Sequence, residues 1–390
     1  MLEREKNFAL LPKAYLFSEV AARVAAQRDA QNAQKLISLG IGDITLPLPP
    51  VCVDALESAA REMGERPVGY PPTEGYDFLR RAIAENYRQN GISVDETEIF
   101  VCDGAKSDLA AFLRLFERSA RVALPDPGYP VYRDAALLGG FSVLPLSLTA
   151  ENSFTPAPPR EHCDLIFLCS PHNPTGQAMR AADLARFVNY AREHHALLLF
   201  DAAYRAYIAA PGIPKSIYEI PGAKECAVEF CSFSKSAGFT GLRLGWTVVP
   251  HALRLSGEPL AGLWYRYLAA HRNGVAYPVQ RAGEAALTPA GREQTQSRIA
   301  VYRQSAALLA AALVQAKLAF WGGVNAPYLW VRCPGGMSSR AFFEHLLTRA
   351  ALVTTPGAGF GAAGEGYLRL SAFCPPAETA QAAARLTALF

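Results

Sequence analysis

Short runs of consecutive hydrophobic residues alternate with stretches of helical character from about residue 98 onwards. The five runs are EIFVC (98–102), RVAL (121–124), DLIFLCS (164–170), ALLLF (196–200) and AVEFCS (227–232). Runs of this length are typical of buried strands, and helical stretches between them predict crossover connections. The pattern therefore predicts an α/β fold with a mostly parallel central sheet that is flanked by helices on both faces.

The five predicted strands define the larger of two expected domains. They all lie within residues 46–284, which begin at the turn-forming sequence TLPLPP. Residues 1–45 and 285–390 are then expected to form a smaller α+β domain from an N-terminal arm and a C-terminal segment. In it, APYLWVRC and GYLRLSAF predict strands of an antiparallel or mixed sheet. A chain of 390 residues is long enough for two such cores.

Composition favours an enzyme that acts on small molecules. Hydrophobic residues make up 51% of the chain and charged residues 19%, as in compact folded proteins, and a net charge of +3 gives no basic patch for nucleic acid. No stretch has the length of a membrane span or of a signal sequence, so we expect a cytoplasmic protein. The eight cysteines lack CxxC spacing and histidine partners, which predicts reduced core thiols and no metal site.

Polar residues follow each of the five predicted strands. They form the sequences DGAK (103–106), PDPGY (125–129), PHNPTG (171–176), DAAY (201–204) and FSK (233–235). Catalytic groups of open α/β sheets gather beyond the carboxyl ends of the strands. We therefore expect the five strand ends to converge on one crevice.

The segment CSFSKSAGFTGLRLGW is the most informative of these. It places Lys235 beside Ser232 and Ser234, with Arg243 eight residues after the lysine. A nearby fixed positive charge in a partly dry cleft disfavours the ammonium form of a lysine, so that its amine can attack an aldehyde. The two hydroxyls and the guanidinium group suit a phosphate. An isolated SxSK sequence would favour a solvated loop lysine. The position of Lys235 just after a hydrophobic run, with Ser232, Ser234 and Arg243 nearby, favours a reactive lysine instead.

Asp201 ends a hydrophobic run, where a carboxylate requires a cation. Pairing with a pyridine nitrogen would make the ring the electron sink that pyridoxal chemistry requires, although a helix N-cap explains the residue equally well. Asn173 and Tyr204 are candidates to hydrogen-bond the phenolic oxygen of such a ring, and Tyr129 to stack on it. Asn173 lies in the Pro-rich sequence SPHNPTG, in which an X-Pro bond can adopt the cis form and give a rigid turn that directs its side chain. The alternatives are a surface turn and core tyrosines.

Two glycine-containing segments differ in what they predict. Residues 104–106 follow a strand and open a helix, which favours an anion site for a cofactor phosphate over a simple tight turn, with Lys106 reaching toward the substrate.

GAGFGAAG matches the GxGxxG pattern, but the EGYLRLSAF that follows is typical of a strand, whereas a dinucleotide site needs a helix there. We expect a loop that leads to Arg369, whose guanidinium suits a substrate carboxylate.

The sequences NPTG, DAAY, SFSK and GLRLGW, with a late Arg369, resemble the class I/II aminotransferases over nearly the whole chain. Longer strings, among them ISLGIGDITLPLP, FVCDGAKSDL and SFSKSAGFTGLRLGWTVVP, are similar to the LL-diaminopimelate aminotransferase family within that class. The resemblance implies fold type I, pyridoxal 5′-phosphate as cofactor, and a homodimer with sites at the subunit interface. The implied reaction converts tetrahydrodipicolinate, glutamate and water to LL-diaminopimelate and 2-oxoglutarate.

The resemblance also implies a role for individual residues. It makes Lys235 the Schiff-base lysine, with Asp201 at the pyridine nitrogen and Tyr204 at the phenolic oxygen. The other residues implied for the cofactor are Tyr70 of the partner subunit, Ala105, Lys106, Tyr129, Asn173, Ser232, Ser234 and Arg243. Those implied for the substrate are Tyr15, Gly42, Lys106, Tyr129, Asn173, Asn273 and Arg369.

One departure from the family pattern concerns substrate choice. Thr73 stands where the family has an acid that would meet the distal ammonium of diaminopimelate, and Glu74 follows it. An aspartate, alanine or aromatic aminotransferase shares all the cofactor residues and remains an alternative. A β-lyase that cleaves C–S bonds uses the same ring chemistry and is a second alternative.

Overall fold

The computed structural model describes residues 3–12, 16–30 and 35–390, and its strands form four sheets. The strands are β1 (Ile37–Ser38), β2 (Ile99–Cys102), β3 (Arg121–Asp126), β4 (Ser142–Ser147), β5 (Leu165–Cys169), β6 (Leu197–Asp201), β7 (Ala227–Ser232), β8 (Gly245–Val248), β9 (Arg254–Leu255), β10 (Glu258–Pro259), β11 (Phe320–Gly322), β12 (Tyr328–Arg332), β13 (Leu352–Val353), β14 (Thr355–Pro356) and β15 (Tyr367–Ser371).

The central sheet has seven strands in the order β2-β8-β7-β6-β5-β3-β4. All neighbours are parallel except the two pairs that β8 makes with β2 and β7. Because β8 reverses direction between them, β2 and β7 run the same way. The carboxyl ends of all five predicted strands therefore meet at one edge, as the sequence predicts, and β4 and β8 are additional strands that the sequence reasoning missed.

Helices cover both faces of this sheet. The α-helices of the whole described chain, which include those of the C-terminal part, are α1 (Leu16–Ala30), α2 (Pro50–Glu65), α3 (Asp77–Gln89), α4 (Ala105–Phe112), α5 (Pro130–Gly139), α6 (Ala181–Glu193), α7 (Phe233–Ser236), α8 (Leu260–His271), α9 (Tyr277–Leu287), α10 (Pro289–Gln315), α11 (Ser339–Ala350) and α12 (Pro376–Leu389). In α6, for example, Leu184, Phe187, Val188 and Ala191 are buried, which is the spacing of one helical face. Each fully buried side chain of this size contributes about 1.5–3 kcal/mol through the hydrophobic effect.

A second sheet of four antiparallel strands lies in the C-terminal part, in the order β11-β12-β15-β14. Its β12 and β15 are the two strands predicted there. Residues from both pack with α10, α11 and α12 in one hydrophobic core, which includes Leu329, Leu368 and Leu347. The domain boundaries at residues 46 and 284 remain a prediction.

The segment around β1 joins this second core. Ile37 and Ser38 pair in parallel with Leu352 and Val353, and the Leu39 carbonyl accepts a hydrogen bond from the Ser371 N–H at 2.7 Å. Residues 39–43 therefore pass beside the end of β15. Among the described residues, no helix has the length and hydrophobicity required to cross a membrane.

Candidate active site

Lys235 lies in the short helix α7, directly after the buried strand β7. Ser232 caps this helix by accepting a hydrogen bond from the Ser234 N–H at 3.1 Å. Burial, and to a lesser extent the positive charges of Arg369 and Arg243, lower the pKa of Lys235 to about 8 against the opposing effect of Asp43. Half of the side chains therefore carry a neutral amine at about pH 8, a far larger share than for an ordinary lysine.

Asp201 is the last residue of β6 and is buried. Its Oδ2 accepts a hydrogen bond from the Tyr132 hydroxyl at 2.5 Å, and its Oδ1 accepts one from the Ala203 N–H at 3.0 Å. Burial raises the pKa of Asp201, although both hydrogen bonds oppose this effect, and no cation of the described chain contributes. The carboxylate thus caps the turn after β6, and it has no cationic partner among the residues that the structure describes.

Gly104 forms the turn between β2 and α4 with a φ of +115°. A Cβ atom at this position would lie only 2.3 Å from Nη2 of Arg243. Nη1 of Arg243 donates to Oγ of Ser234 at 3.2 Å, and Ala105 begins α4. Gly104, Ala105, Ser234 and Arg243 therefore surround one space at the N-terminus of α4, where backbone N–H groups and the helix dipole favour an anion.

Arg369, on β15, is buried with 1% of its surface exposed. Its Nη1 donates to Oδ1 of Asn173 at 2.8 Å, and its Nη2 donates to the Gly40 carbonyl at 2.7 Å. These two hydrogen bonds fix the plane of the guanidinium group. Asn173 is likewise buried, so it is not the surface residue of the alternative interpretation, and the bonds that precede Pro171 and Pro174 are both cis, as expected.

Tyr204 hydrogen-bonds a residue that the sequence reasoning missed. Its hydroxyl lies 2.7 Å from the hydroxyl of Tyr328, the first residue of β12, and both side chains are buried. The guanidinium group of Arg369 lies 4.5 Å from the centre of the Tyr328 ring. A Cβ atom on Gly42 would lie 2.2 Å from the Tyr328 hydroxyl oxygen, so Gly42 leaves room for that hydroxyl.

The model of a protein family described as aminotransferase class I and II matches residues 34–386. The chain belongs to this family. The match covers the two sheets and all the residues of the site described above. Membership of this family implies dependence on pyridoxal 5′-phosphate.

This aminotransferase has close relatives of similar length. It is 45% identical over 404 residues to the LL-diaminopimelate aminotransferase of Agathobacter rectalis, with 100% of both chains aligned. It is 47% identical over 388 residues to that of Bacteroides fragilis, with 94% of this chain and 95% of the relative aligned. The solved L,L-diaminopimelate aminotransferase of Chlamydomonas reinhardtii matches with a TM-score of 0.95 and 40% identity, over 100% of this chain and 99% of that chain. Together with the sheet topology, these matches confirm fold type I.

Two predicted site residues lie at the side of the aminotransferase cleft. Tyr129, at the start of α5, packs edge-on against Tyr132 with 5.5 Å between ring centres. Lys106, on α4, is exposed. Burial raises the pKa of Asp134, which lies on α5 after Tyr129, and the charge of Lys106 opposes this effect. A cavity of about 1000 Å³ opens beside Tyr129, but its walls do not include Lys235, so it adjoins the site without containing the lysine.

Two further predicted residues, Tyr70 and Asn273, lie at the surface of this chain and not in its cleft. Tyr70 is 86% exposed, and Asn273 is exposed on a neighbouring loop, where a Cβ atom on Gly274 would lie 2.1 Å from the Pro72 carbonyl. These two positions thus share one surface. Tyr15 lies outside the described residues.

Proposed function

We propose that this aminotransferase uses pyridoxal 5′-phosphate to transfer the amino group of glutamate to tetrahydrodipicolinate, giving LL-diaminopimelate and 2-oxoglutarate. The observation that carries the reaction type is that Lys235 and the buried Asp201 lie at the carboxyl ends of adjacent strands, with the buried Arg369 close enough to lower the pKa of Lys235. The choice of substrate rests on the bacterial and algal relatives, which match this chain over nearly their full lengths.

The residues present fit the cofactor. Pyridoxal 5′-phosphate supplies an aldehyde that condenses with amines and a protonated ring that withdraws electrons. A ring nitrogen that carries a proton would supply the cation that the buried Asp201 carboxylate lacks. The Ala105 N–H, Ser234 and Arg243 would hold the phosphate. Gly104 leaves the room for it, because a Cβ atom there would fill the space beside Arg243.

Two residues are placed to hydrogen-bond the phenolic oxygen of that ring. The amide oxygen of Asn173 already accepts from Arg369, which leaves its amide nitrogen as the group that can donate. Tyr204 contributes a second donor from a buried hydroxyl. Tyr129 would stack against the ring, and its edge contact with Tyr132 holds its own ring in place.

Arg369 would bind the α-carboxylate of the amino acid substrate. Its guanidinium group is held in one plane by Asn173 and Gly40, so a bidentate carboxylate is fixed in a single orientation. Orientation of the Cα–H bond toward Lys235 contributes several kcal/mol to the rate. Because the pKa of Lys235 is about 8, its Nζ can take the proton from Cα as a base and return it as an acid near neutral pH.

We also propose that the active protein is a homodimer. Tyr70 is 86% exposed in its own chain, and it shares a surface with Asn273. A second copy facing this surface would receive the Tyr70 hydroxyl at its phosphate site. Sedimentation of the purified protein as a monomer under assay conditions would contradict this assembly.

A substrate panel tests the proposed function. With 2-oxoglutarate as acceptor, LL-diaminopimelate should be the best amino donor, and meso-diaminopimelate, aspartate, alanine, tyrosine and cystathionine should react far more slowly or not at all. The Lys235→Ala protein serves as the blank, since it should show no absorbance band of a lysine-bound cofactor and a rate lower by orders of magnitude. Rapid turnover of short or aromatic amino acids without diaminopimelate would refute the substrate, and release of pyruvate from cystathionine would favour a lyase.

A further inference from the structure

The hydroxyl groups of Tyr204 and Tyr328 form a buried pair. Their oxygen atoms lie 2.7 Å apart, and the two side chains are 7% and 1% exposed. A hydroxyl has one hydrogen to donate and two lone pairs that accept, so one member of the pair donates to the other. The direction of that hydrogen bond decides where the hydrogen of Tyr204 points.

Tyr328 is held by contacts from three separate parts of the chain. Gly42 approaches its hydroxyl so closely that a Cβ atom would lie 2.2 Å from the oxygen. Arg369 lies 4.5 Å above its ring, and Gly176, at the end of the turn that carries Asn173, packs so tightly that a Cβ atom would lie 2.2 Å from the Tyr328 carbonyl. The position of this tyrosine is therefore fixed by the N-terminal segment, by β15 and by the Asn173 turn.

The geometry of the pair allows either hydroxyl to donate, and we propose that Tyr328 is a positioning residue that donates its hydroxyl hydrogen to Tyr204 when the cofactor is bound. Tyr204 then has its own hydrogen available to donate into the cleft, toward the phenolic oxygen of the cofactor, and a donor that itself accepts a hydrogen bond is a stronger donor. The ring of Tyr328 has a separate role, which is to support the guanidinium group of Arg369 by a cation–π contact. This inference rests on the proposed function, because it assumes a bound cofactor.

The hydroxyl role predicts a spectroscopic change that packing alone would not cause. In Tyr328→Phe the ring remains but Tyr204 loses its donor, so the phenolic oxygen of the cofactor is stabilised less as an anion. The pKa reported by the absorbance of the resting, substrate-free enzyme should rise by about 0.5, and the removal of the whole donor in Tyr204→Phe should raise it by about 1–2. The KM for glutamate should be unchanged in Tyr328→Phe.

The ring role is separated by Tyr328→Leu. This variant removes the cation–π contact as well as the hydroxyl, so it should raise the KM for glutamate about fivefold in addition to shifting the spectroscopic pKa. Gly42→Ala provides an independent test, because its Cβ atom would push the Tyr328 hydroxyl away while leaving the ring. It should raise the spectroscopic pKa in the same direction.

Tyr302→Phe is the matched control. Tyr302 belongs to the same buried cluster as Tyr204 and Tyr328, but its hydroxyl accepts from the Thr45 and Leu46 N–H groups, each at 2.8 Å. Its loss should lower stability without moving the spectroscopic pKa. If the parent protein binds no pyridoxal 5′-phosphate, the proposed function fails. If the parent binds it and neither Tyr328→Phe nor Gly42→Ala changes the titration while Tyr204→Phe does, only the role of Tyr328 is overturned.

Discussion

At the scale of single residues, the chemistry depends on how burial changes proton affinities. The same cleft lowers the pKa of a lysine and raises that of a carboxyl group, since burial disfavours both charged forms. Lys235 thereby gains a nucleophilic amine, whereas the raised pKa of Asp201 is opposed by its hydrogen bonds from Tyr132 and the Ala203 N–H. The phenol that supports Asp201 lies three residues after Tyr129, a spacing that places both near the first turn of α5.

The shifted pKa of Lys235 leads to a pH-dependent prediction. Only the neutral amine attacks an aldehyde, and the amine is protonated below its pKa. We expect the rate constant for covalent binding of pyridoxal 5′-phosphate to the cofactor-free protein to rise with pH and to level off above about pH 8. Stopped-flow absorbance across a pH series measures this rate constant. A rate that continued to rise beyond pH 10 would indicate an ordinary lysine and contradict the burial argument.

At the scale of elements, the strands and turns differ in how far the sequence predicted them. The strand β5 is buried at every position, so its hydrophobic run was unmistakable. The edge strand β4 is mostly exposed or half-buried, and β8 has the sequence GWTV, in which a glycine and a threonine interrupt the hydrophobic residues, so neither gave a comparable signal. The sequence predicted Tyr328 as part of a strand but not as a residue of the site. Its position in the site is set by the antiparallel register of β12 and β15, which a single sequence does not reveal.

The turn between β2 and α4 supplies the second prediction. In Gly104→Ala the added Cβ atom would lie 2.3 Å from Nη2 of Arg243, so the guanidinium group must move out of the proposed phosphate site. We expect the Kd for pyridoxal 5′-phosphate to rise about tenfold to a hundredfold, the loss of one charge-assisted hydrogen bond. Absorbance titration of the cofactor-free protein gives the Kd.

Gly91→Ala is the control for backbone strain in that experiment. Gly91 also has a positive φ, of +76°, but a Cβ atom there would meet nothing within 4 Å. Both variants should lose about 1–3 kcal/mol of stability from a positive φ, and only Gly104→Ala should bind the cofactor more weakly. Equal weakening in the two variants would attribute the effect to strain and remove Gly104 from the phosphate site.

At the scale of the whole molecule, a buried ionic network links the elements that carry the site. Glu229 on β7 is fully buried and accepts hydrogen bonds from the Tyr87 hydroxyl at 2.5 Å, from Arg205 at 3.1 Å and from the Ser216 hydroxyl at 2.6 Å. Arg205 directly follows Tyr204, and β7 leads to Lys235. The network therefore connects the segment that carries Tyr204, the strand that precedes Lys235, and α3.

Disruption of this network is the third prediction. Glu229→Gln would leave the Arg205 charge buried without its partner, which costs about 3–5 kcal/mol. Glu225→Gln is the control, because it breaks an ion pair with Arg192 of 2.9 Å in which both side chains are at least 50% exposed, and it should cost less than about 1 kcal/mol. Chemical denaturation of the two cofactor-free variants compares the costs. Equal losses of unfolding free energy in the two variants would mean that the Glu229 network does not stabilise the fold more than a surface ion pair does.

The sequence also predicted features that a single chain does not test. The assignment of Tyr70 to the site of the partner subunit came from the resemblance, and the exposure of this side chain is what such an assembly requires. Lys235, Asp201 and Arg369 could be predicted because each follows or lies within a hydrophobic run. The network around Glu229 could not, since a charged residue inside such a run gives no sign of its partners.

The pairing of β1 with β13 has a consequence for how the protein is made. The Gly40 carbonyl that orients Arg369 also accepts a hydrogen bond from the Thr355 hydroxyl. The bond to Arg369 spans 329 positions of the chain, and the bond to Thr355 spans 315. During synthesis the ribosome delivers Gly40 long before either partner has emerged. The hydrogen bonds of the Arg369 guanidinium group can therefore form only after translation has passed residue 369, and until then the early segment exposes hydrophobic surface, such as Ile37 and Leu39, that the folded protein buries.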